Sequence, residues 1–288
     1  MKVIYHSPCT DGFCAAWLMH CAFPDAEFIG ANYGQDPPDV TGEIVYIVDF
    51  SYPRQELLTL AENNTSVTVL DHHKTAKEEL ASVRHDRLRW IFSAEKSGGR
   101  LTWDYLHDRE LLPEHLQRLN KPHWLVQYTE DRDLWRQPPA LPNSKEINAA
   151  LRCYPQDFKL WTNWSKDRLG AVIYRLEEEG RVVLMYRANL IEAHVKQARQ
   201  VRFICEDRAY IAHAVNCTAG ELISEVGEQL AMQEGADFGA TWTDEGTYRR
   251  WSLRSRGDLD VSKIAKCYGG GGHKTAAGCR VLARVIEV

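Results

Sequence analysis

The fold is decided by one stretch, Val67-Thr68-Val69-Leu70-Asp71-His72-His73. The apolar and β-branched run predicts a buried strand, and the polar triplet follows at the point where that strand ends. Open α/β sheets bind their ligands at the carboxyl ends of strands, and carboxylate and imidazole groups bind metals. The triplet is therefore our first candidate for a functional site.

Two other apolar runs in the first half of the chain end in the same way. Lys2 to Tyr5 leads to His6, and Ile44 to Val48 leads to Asp49. Continuous apolar character predicts strands that are buried on both faces, as in a parallel sheet. We therefore expect His6, Asp49 and Asp71 at the carboxyl ends of three strands.

These strands are followed by a helical pattern from Ser97 to about Tyr154. A long helical segment comes next, from Asp167 to about Gln200, and Gly180 interrupts it. Strand and helix patterns alternate again from Val201 onward. The predicted fold class is α/β with two domains. Residues 1–180 form a domain with a mainly parallel sheet flanked by helices, residues 181–200 a connector helix, and residues 201–288 a smaller α/β domain.

The charge of the 288-residue chain is nearly balanced overall but not locally. There are 35 Lys and Arg against 40 Asp and Glu, a formal net charge of −5, which argues against a surface for general nucleic-acid binding. Between Arg249 and Lys274, however, basic residues outnumber acidic ones. An anionic partner, if there is one, should contact this end.

The eight cysteines are scattered, with no C-x-x-C pair and no zinc-ligand spacing, and we interpret them as reduced thiols. No apolar run approaches the roughly 18 residues that a membrane span needs. We expect a cytoplasmic protein with no membrane partner.

A run of four glycines, Gly269 to Gly272, precedes His273-Lys274-Thr275-Ala276-Ala277. A flexible linker is the simplest interpretation, but a linker should continue into loose polar sequence. The small residues that follow instead predict the start of a helix. We therefore expect the run to form a backbone cradle for an anion.

Activation of water for attack on a phosphate requires hard oxygen ligands and imidazoles held from several strand ends. Six positions satisfy this requirement by residue type: His6, Asp11, Asp49, Asp71, His72 and one of Asp131 or Asp133. A single Asp after a strand is commonly a turn former or a helix cap. The combination of three such strand ends with an adjacent His-His pair favours the functional interpretation.

These motifs resemble those of the DHH–DHHA1 phosphoesterase superfamily, which includes RecJ exonucleases, nanoRNase oligoribonucleases, cyclic-dinucleotide phosphodiesterases and, with a different second domain, family II pyrophosphatases. The resemblance covers nearly the whole chain. It rests on His6 with Asp11-Gly12, Val48-Asp49, Asp71-His72-His73, Asp131-Arg132-Asp133, and the glycine signature at 269–278.

The resemblance implies a DHH catalytic domain that binds manganese, with magnesium or cobalt as substitutes, and a DHHA1 domain that binds substrate. The implied metal ligands are His6, Asp11, Asp49, His72 and Asp131, with Asp133 as the alternative to Asp131. The resemblance also implies that Asp49 bridges two ions, that Asp71 orients His72 and that His73 contacts the substrate phosphate. In the second domain, the residues that it implies for binding the far phosphate or base are Arg254, Gly270, Gly271, Gly272 and His273.

The first motif departs from the family pattern. The family places two aspartates, spaced D-x-D, after the histidine, whereas this chain has Asp11 alone, with Cys9 two residues before it and Phe13 two residues after. A second ion would bind with fewer protein ligands, use Cys9, or bind more weakly. A thiolate is a softer ligand than manganese prefers. The number of ions, one or two, therefore stays open.

The predicted function is hydrolysis of very short oligonucleotides or dinucleotides, such as 5′-phosphorylated diribonucleotides, by metal-activated water. The partners we expect are such a substrate, no long duplex nucleic acid, and at most a second copy in a homodimer. One alternative is a phosphatase for a nucleoside bisphosphate, pyrophosphate or short polyphosphate. The other is an inactive nucleotide-binding regulator.

Overall fold

The computed structural model describes residues 1–81, 83–134, 139–167 and 169–282, apart from the side chains at 75, 78 and 79. The chain divides into two compact units, Met1–Val183 and Leu184–Val288. This division does not test the roles predicted for the two domains. Within the described ranges, no helix is long and apolar enough to cross a membrane.

The first unit is built on a five-stranded sheet. The strands are β1 (Lys2–His6), β2 (Glu27–Ala31), β3 (Ile44–Val48), β4 (Ser66–Asp71) and β5 (Leu88–Phe92). Their spatial order is β2-β1-β3-β4-β5, and all neighbouring pairs are parallel. The α/β class and the parallel sheet are therefore confirmed. We did not predict β5, whose position at the sheet edge leaves alternate side chains exposed.

Some helices of the first unit lie between these strands, and the others follow β5. They are α1 (Thr10–Ala22), α2 (Arg54–Asn63), α3 (Lys74–Leu80), α4 (Gly98–His107), α5 (Glu114–Gln117), α6 (Trp124–Asp133), α7 (Ser144–Leu151) and α8 (Phe158–Trp164). Adjacent residues of β1 enter different cores, because successive side chains of a strand point to opposite faces. Val3 packs in one core with Trp17 of α1, and Ile4 in the other with Leu57 of α2. The strands are therefore apolar because the sheet is buried on both of its faces.

A long helix, α9 (Ala171–Lys196), includes the boundary between the units. Gly180 does not interrupt it, contrary to our expectation. A Cβ at this position would lie 1.8 Å from the carbonyl oxygen of Glu146 in α7. The glycine therefore permits close packing of α9 on α7.

The second unit contains a six-stranded mixed sheet. Its strands are β6 (Arg199–Cys205), β7 (Arg208–Asn216), β8 (Phe238–Glu245), β9 (Tyr248–Arg254), β10 (Gly271–His273) and β11 (Ala276–Leu282). The order is β10-β11-β9-β8-β7-β6, with β7 and β8 parallel and the other pairs antiparallel. Two helices accompany it, α10 (Ile223–Leu230) and α11 (Val261–Cys267). The predicted second α/β domain is confirmed as a fold.

The glycine run does not begin a helix, and that expectation was wrong. Gly271–His273 forms β10, which pairs with β11 in a hairpin. A Cβ on Gly270 would lie 2.1 Å from the carbonyl oxygen of Gly278, and a Cβ on Gly272 would lie 2.6 Å from that of Ala276. Small residues are therefore needed here for close backbone packing, which the sequence alone does not distinguish from a helix start.

The interpretation of all eight cysteines as reduced thiols also needs correction. Cys205, at the end of β6, is bonded to Cys267, at the end of α11. These residues are 62 positions apart in the sequence, so no local spacing indicated the pair. The other six cysteines are free thiols.

Candidate metal centre

Three neighbouring strands deliver the predicted residues to one edge of the first sheet. His6 is the last residue of β1, Asp49 follows β3, and Asp71 ends β4, in the spatial order β1-β3-β4. Asp49 has a φ of 63°, a left-handed conformation that Asp adopts more readily than most residues. Its amide donates to the carbonyl of Leu70 at 2.9 Å, which holds the turn against β4.

Asp49 lies at the centre of this group and is 1% exposed. Its Oδ2 is 3.4 Å from Nδ1 of His6, and its Oδ1 is 3.2 Å from Nε2 of His72. Gly98 permits this arrangement, because a Cβ there would lie 2.4 Å from Oδ1 of Asp49. Asp49 therefore lies between two imidazoles, one at the end of β1 and one directly after β4. Its bridging of two ions stays a prediction.

Asp11, in the first turn of α1, is held by the beginning of α4. The hydroxyl of Ser97 donates to its Oδ1 at 2.7 Å, while the amides of Gly98 and Gly99 donate to Oδ2 and Oδ1 at 2.6 and 3.1 Å. Ser97 is itself the N-cap of α4. We missed these positions, although a serine before two glycines at a helix start is a capping signal.

Asp133, rather than Asp131, joins the group. One carboxylate oxygen of Asp133 is 3.5 Å from Nε2 of His72, and Asp11, His72 and Asp133 offer ligand atoms within 4.8 Å of one another. Asp131 instead accepts a hydrogen bond from the amide of Ala140 at 2.8 Å. Residues two apart on a helix do not share a face, so the geometry favours the alternative ligand, Asp133.

Asp71 contacts His73 rather than the ring of His72. Its Oδ1 is 2.7 Å from Nδ1 of His73 and accepts from the backbone amides of His72 and His73 at 2.7 and 3.2 Å. Asp71, which we predicted to orient His72, therefore contacts the backbone amide of that residue, and the imidazole that Asp71 contacts is that of His73. The His72 ring reaches Asp49 and Asp133 instead.

The charges of the group act on one another. Burial alone raises the pKa of Asp49, but its contacts with His6 and His72 outweigh burial and hold that pKa below its ordinary value. Asp49 in turn raises the pKa of His6, and also that of His72 against the opposing effect of burial. For Asp11, burial and the neighbouring charges of Asp49 and Asp133 raise the pKa. Such crowding of carboxylates favours a bound cation.

Several buried atoms of the group lack a hydrogen-bond partner among the described residues. They are Nδ1 of His6, both carboxylate oxygens of Asp49, Oδ2 of Asp71, Nε2 of His72 and Oδ2 of Asp133. The contacts of 3.2 to 3.5 Å between them do not have hydrogen-bond geometry. An unsatisfied buried polar group costs about 1–3 kcal/mol. A divalent cation with oxygen and imidazole ligands fits this donor set.

Cys9 lies in a second group of possible ligands, with His6 and Asp49, whose ligand atoms are all within 4.8 Å of one another. Burial, assisted by the charge of Asp49, raises the pKa of its thiol to about 12. The thiol is therefore protonated when no cation is close.

A cavity of about 280 Å³ lies beside these residues. Its lining includes Tyr33, whose ring is 5.3 Å from that of His6 and 5.7 Å from that of His73 between centroids. Tyr33 is 50% exposed. Two further lining residues, Tyr52 and Glu56, each have a buried side-chain oxygen without a hydrogen-bond partner among the described residues. Sequence reasoning missed this cavity, because its lining comes from segments that are separated in the sequence.

The predicted substrate residues of the second unit lie around one hairpin. Arg254, the last residue of β9, pairs with Ala276 of β11, and its guanidinium donates to Ser224 Oγ at 2.9 Å. Gly271 is partly exposed, while Gly272 and His273 are exposed. Their role in substrate binding stays a prediction.

No family model matches the chain. An uncharacterized protein of Acanthamoeba polyphaga mimivirus is 28% identical over 298 residues, which cover 96% of this chain. The chain spans 66% of that relative's length.

Solved structures similar to the chain include a pGpG-specific phosphodiesterase from Vibrio cholerae, with a TM-score of 0.52 and 13% identity over 98% of this chain and 93% of that one. An uncharacterized protein from Helicobacter pylori has a TM-score of 0.44 and 16% identity, with 97% and 92% covered. A putative family II inorganic pyrophosphatase from Methanococcus jannaschii has a TM-score of 0.34 and 14% identity, with 100% and 96% covered. The chain therefore shares its overall fold with the Vibrio phosphodiesterase.

Proposed function

We propose that this chain is a metal-dependent phosphoesterase of the DHH type that hydrolyses the phosphodiester bond of dinucleotides and very short oligonucleotides. One observation carries the proposal. Buried carboxylates and imidazoles without hydrogen-bond partners among the described residues lie together where β1, β3 and β4 end. The fold shared with a pGpG-specific phosphodiesterase supports the same reaction class.

The residues that would hold the metal are His6, Asp11, Asp49, His72 and Asp133. Carboxylate oxygens with imidazole nitrogens suit Mn²⁺, with Mg²⁺ or Co²⁺ as substitutes. When bound, such an ion polarises phosphoryl oxygens and lowers the pKa of water. Asp49 sits between the two imidazoles, so it positions the site from both sides.

His73 is the residue we assign to the substrate phosphate. Its side chain is 33% exposed, and Asp71 binds its Nδ1 at 2.7 Å. This contact fixes the ring through Nδ1, and we assign the other ring nitrogen, Nε2, to a phosphate oxygen. An N–H donor at Nε2 would stabilise the charge that develops on that oxygen.

The cavity beside the centre supports a nucleotide as substrate. Its volume of about 280 Å³ is slightly below the usual range for ligand pockets, which suits one base rather than a whole dinucleotide. Tyr33 offers a ring for stacking next to His73. The unpartnered oxygens of Tyr52 and Glu56 offer hydrogen bonds to the edge of a base. A pyrophosphate or polyphosphate has no ring that could stack on Tyr33.

The charge distribution supports a short substrate. A formal charge of −5 favours a short substrate, because a processive nuclease needs a long basic track. We therefore propose neither a long duplex as a partner nor a membrane. Cytoplasmic location, and a monomer or homodimer as the active form, belong to the same proposal.

The test is a length series of labelled RNA, from 5′-phosphorylated dinucleotides to about twenty nucleotides, incubated with the protein and Mn²⁺. We expect kcat/KM to be highest for the shortest diesters and to fall steeply with length. Equal activity at all lengths would contradict the short-substrate proposal. Release of inorganic phosphate without diester cleavage would favour the phosphatase alternative, and nucleotide binding without turnover the regulator.

A further inference from the structure

We propose that Cys9 is a thiolate ligand in the metal centre, and that Cys9, His6 and Asp49 form a half-site that prefers a softer cation such as Co²⁺ or Zn²⁺ to Mn²⁺ or Mg²⁺. This inference rests on the proposed metal-dependent function and concerns which ion one half of the centre selects. It assigns a role to a residue that the resemblance to the DHH family does not explain.

The three ligand atoms are close enough for one ion. The thiol sulfur, an imidazole nitrogen of His6 and a carboxylate oxygen of Asp49 all lie within 4.8 Å of one another. Ligands at 2.0–2.3 Å around a tetrahedral ion are separated by about 3.3–3.8 Å. The group therefore needs only a small contraction to bind a cation.

Hydrogen bonds hold the backbone of Cys9 in place at the start of α1. Cys9 precedes α1 in an extended conformation, and its side chain makes no capping hydrogen bond. Its carbonyl oxygen accepts from the amide of Phe13 at 3.0 Å and from Nε2 of Gln156 at 3.0 Å. Contacts from α1 and from residue 156 thus fix the backbone of Cys9 beside His6 and Asp49.

An independent observation points to a cation at the same place. Asp49 is 1% exposed, and neither of its oxygens has a hydrogen-bond partner among the described residues. Nδ1 of His6, 3.4 Å from Asp49, is also unpartnered within that part of the chain. Two of the three proposed ligands are therefore buried polar groups that a cation would satisfy.

The other half of the centre differs in its chemistry. Asp11, His72 and Asp133 offer only oxygen and nitrogen atoms, a set that suits Mn²⁺ or Mg²⁺, whereas a thiolate favours softer ions. Asp49 contacts both His6 and His72 and so belongs to both halves. We therefore expect the two halves to differ in metal preference.

The test is spectroscopic and needs no turnover. Metal-free protein is titrated with Co²⁺, and absorbance is recorded in the near ultraviolet, where thiolate-to-cobalt charge transfer absorbs, and in the visible, where any bound Co²⁺ absorbs. We expect a charge-transfer band in the wild type, its loss in Cys9→Ser, and retention of visible absorbance from the other half. Cys153→Ser is the matched control, since Cys153 is an exposed free thiol, and it should keep the band.

A second variant tests the preference itself. Cys9→Asp replaces sulfur with oxygen, and we expect the ratio of Mn²⁺ to Co²⁺ affinity to rise about tenfold or more over the wild type. A band that persists in Cys9→Ser, its absence in cobalt-loaded wild type, or an unchanged ratio in Cys9→Asp would each overturn the role of Cys9. Failure of the proposed function has a different signature, because diester hydrolysis would then be absent even where the band appears.

Discussion

In the first unit, polar side chains from three parallel strands meet in a buried group, whereas in the second unit the predicted binding residues lie around an exposed antiparallel hairpin. The difference follows from strand direction. Parallel strands end at the same edge, so residues after each strand gather there, while antiparallel neighbours end at opposite edges. A cluster of candidate site residues is therefore easier to predict from the sequence of a parallel sheet than from that of an antiparallel one.

The two regions also differ in what their glycines do. Gly98 in the first unit makes room for the carboxylate of Asp49. Gly270 and Gly272 in the second unit make room for neighbouring backbone instead. A glycine signature can thus mark either a site or close packing, and substitutions separate the two.

The largest effect we expect among these comparisons concerns the two aspartates of α6. Asp133→Asn should lower kcat/KM for a short diester by about 10²-fold or more, equivalent to about 2.7 kcal/mol, because Asp133 shares the ligand group with Asp11 and His72. Asp131→Asn is the matched control, since an Asn side chain still accepts from Ala140. Steady-state kinetics with Mn²⁺ measures both, and a larger loss in Asp131→Asn would assign the ligand to Asp131.

The next effect concerns the hairpin of the second unit. Gly270→Ala should destabilise this unit by about 1–3 kcal/mol, because the new Cβ would meet the backbone of Gly278 and Cys279. Gly271→Ala is the matched control, because a Cβ there meets nothing within 4 Å. Denaturant unfolding of the full chain gives both values.

The same control variant tests the predicted role of the hairpin in binding. If Gly271→Ala leaves the free energy of unfolding unchanged but raises KM, the glycine backbone contacts substrate. If KM is also unchanged, the binding role predicted for Gly271 is wrong.

Much of the first unit could be predicted, because the strands that end at His6, Asp49 and Asp71 are short apolar runs with polar residues directly after them. The choice between Asp131 and Asp133 as the ligand could not be predicted, since it depends on which face of α6 points toward His72. The partner of Asp71 depends on a turn geometry that the triplet does not specify. In the second unit, the glycines and the small residues after them form a hairpin. Small residues are also found where helices begin, so the sequence alone does not distinguish the two structures.

The smallest effect is a pH dependence of stability in the first unit. Burial, aided by the charge of His115, lowers the pKa of His123 to about 4. His123 is the N-cap of α6, and its Nδ1 accepts from the amide of Leu125 at 3.3 Å, which requires a neutral ring. Because this pKa is lower when folded than when unfolded, its stability contribution is present above about pH 6.5 and is lost as the pH falls toward 4.

We expect the depressed pKa of His123 to lower the free energy of unfolding by about 1–2 kcal/mol as the pH falls from about 7 to about 5. His123→Asn retains a capping side chain without a titrating group, so it should remove that part of the pH dependence. Denaturant unfolding of both proteins at several pH values measures the difference. Identical slopes in the two proteins would show that His123 does not titrate as its burial indicates.

The central claim is that the strand ends of the first unit hold a metal that hydrolyses a short phosphodiester, and the most direct measurement follows metal content and turnover of a 5′-phosphorylated diribonucleotide on the same samples. We predict that chelator-treated protein is inactive and that Mn²⁺ restores cleavage. Asp49→Asn should lose about 10³-fold in kcat/KM, equivalent to about 4 kcal/mol, together with bound metal. Undiminished cleavage by metal-free protein or by Asp49→Asn would contradict the claim.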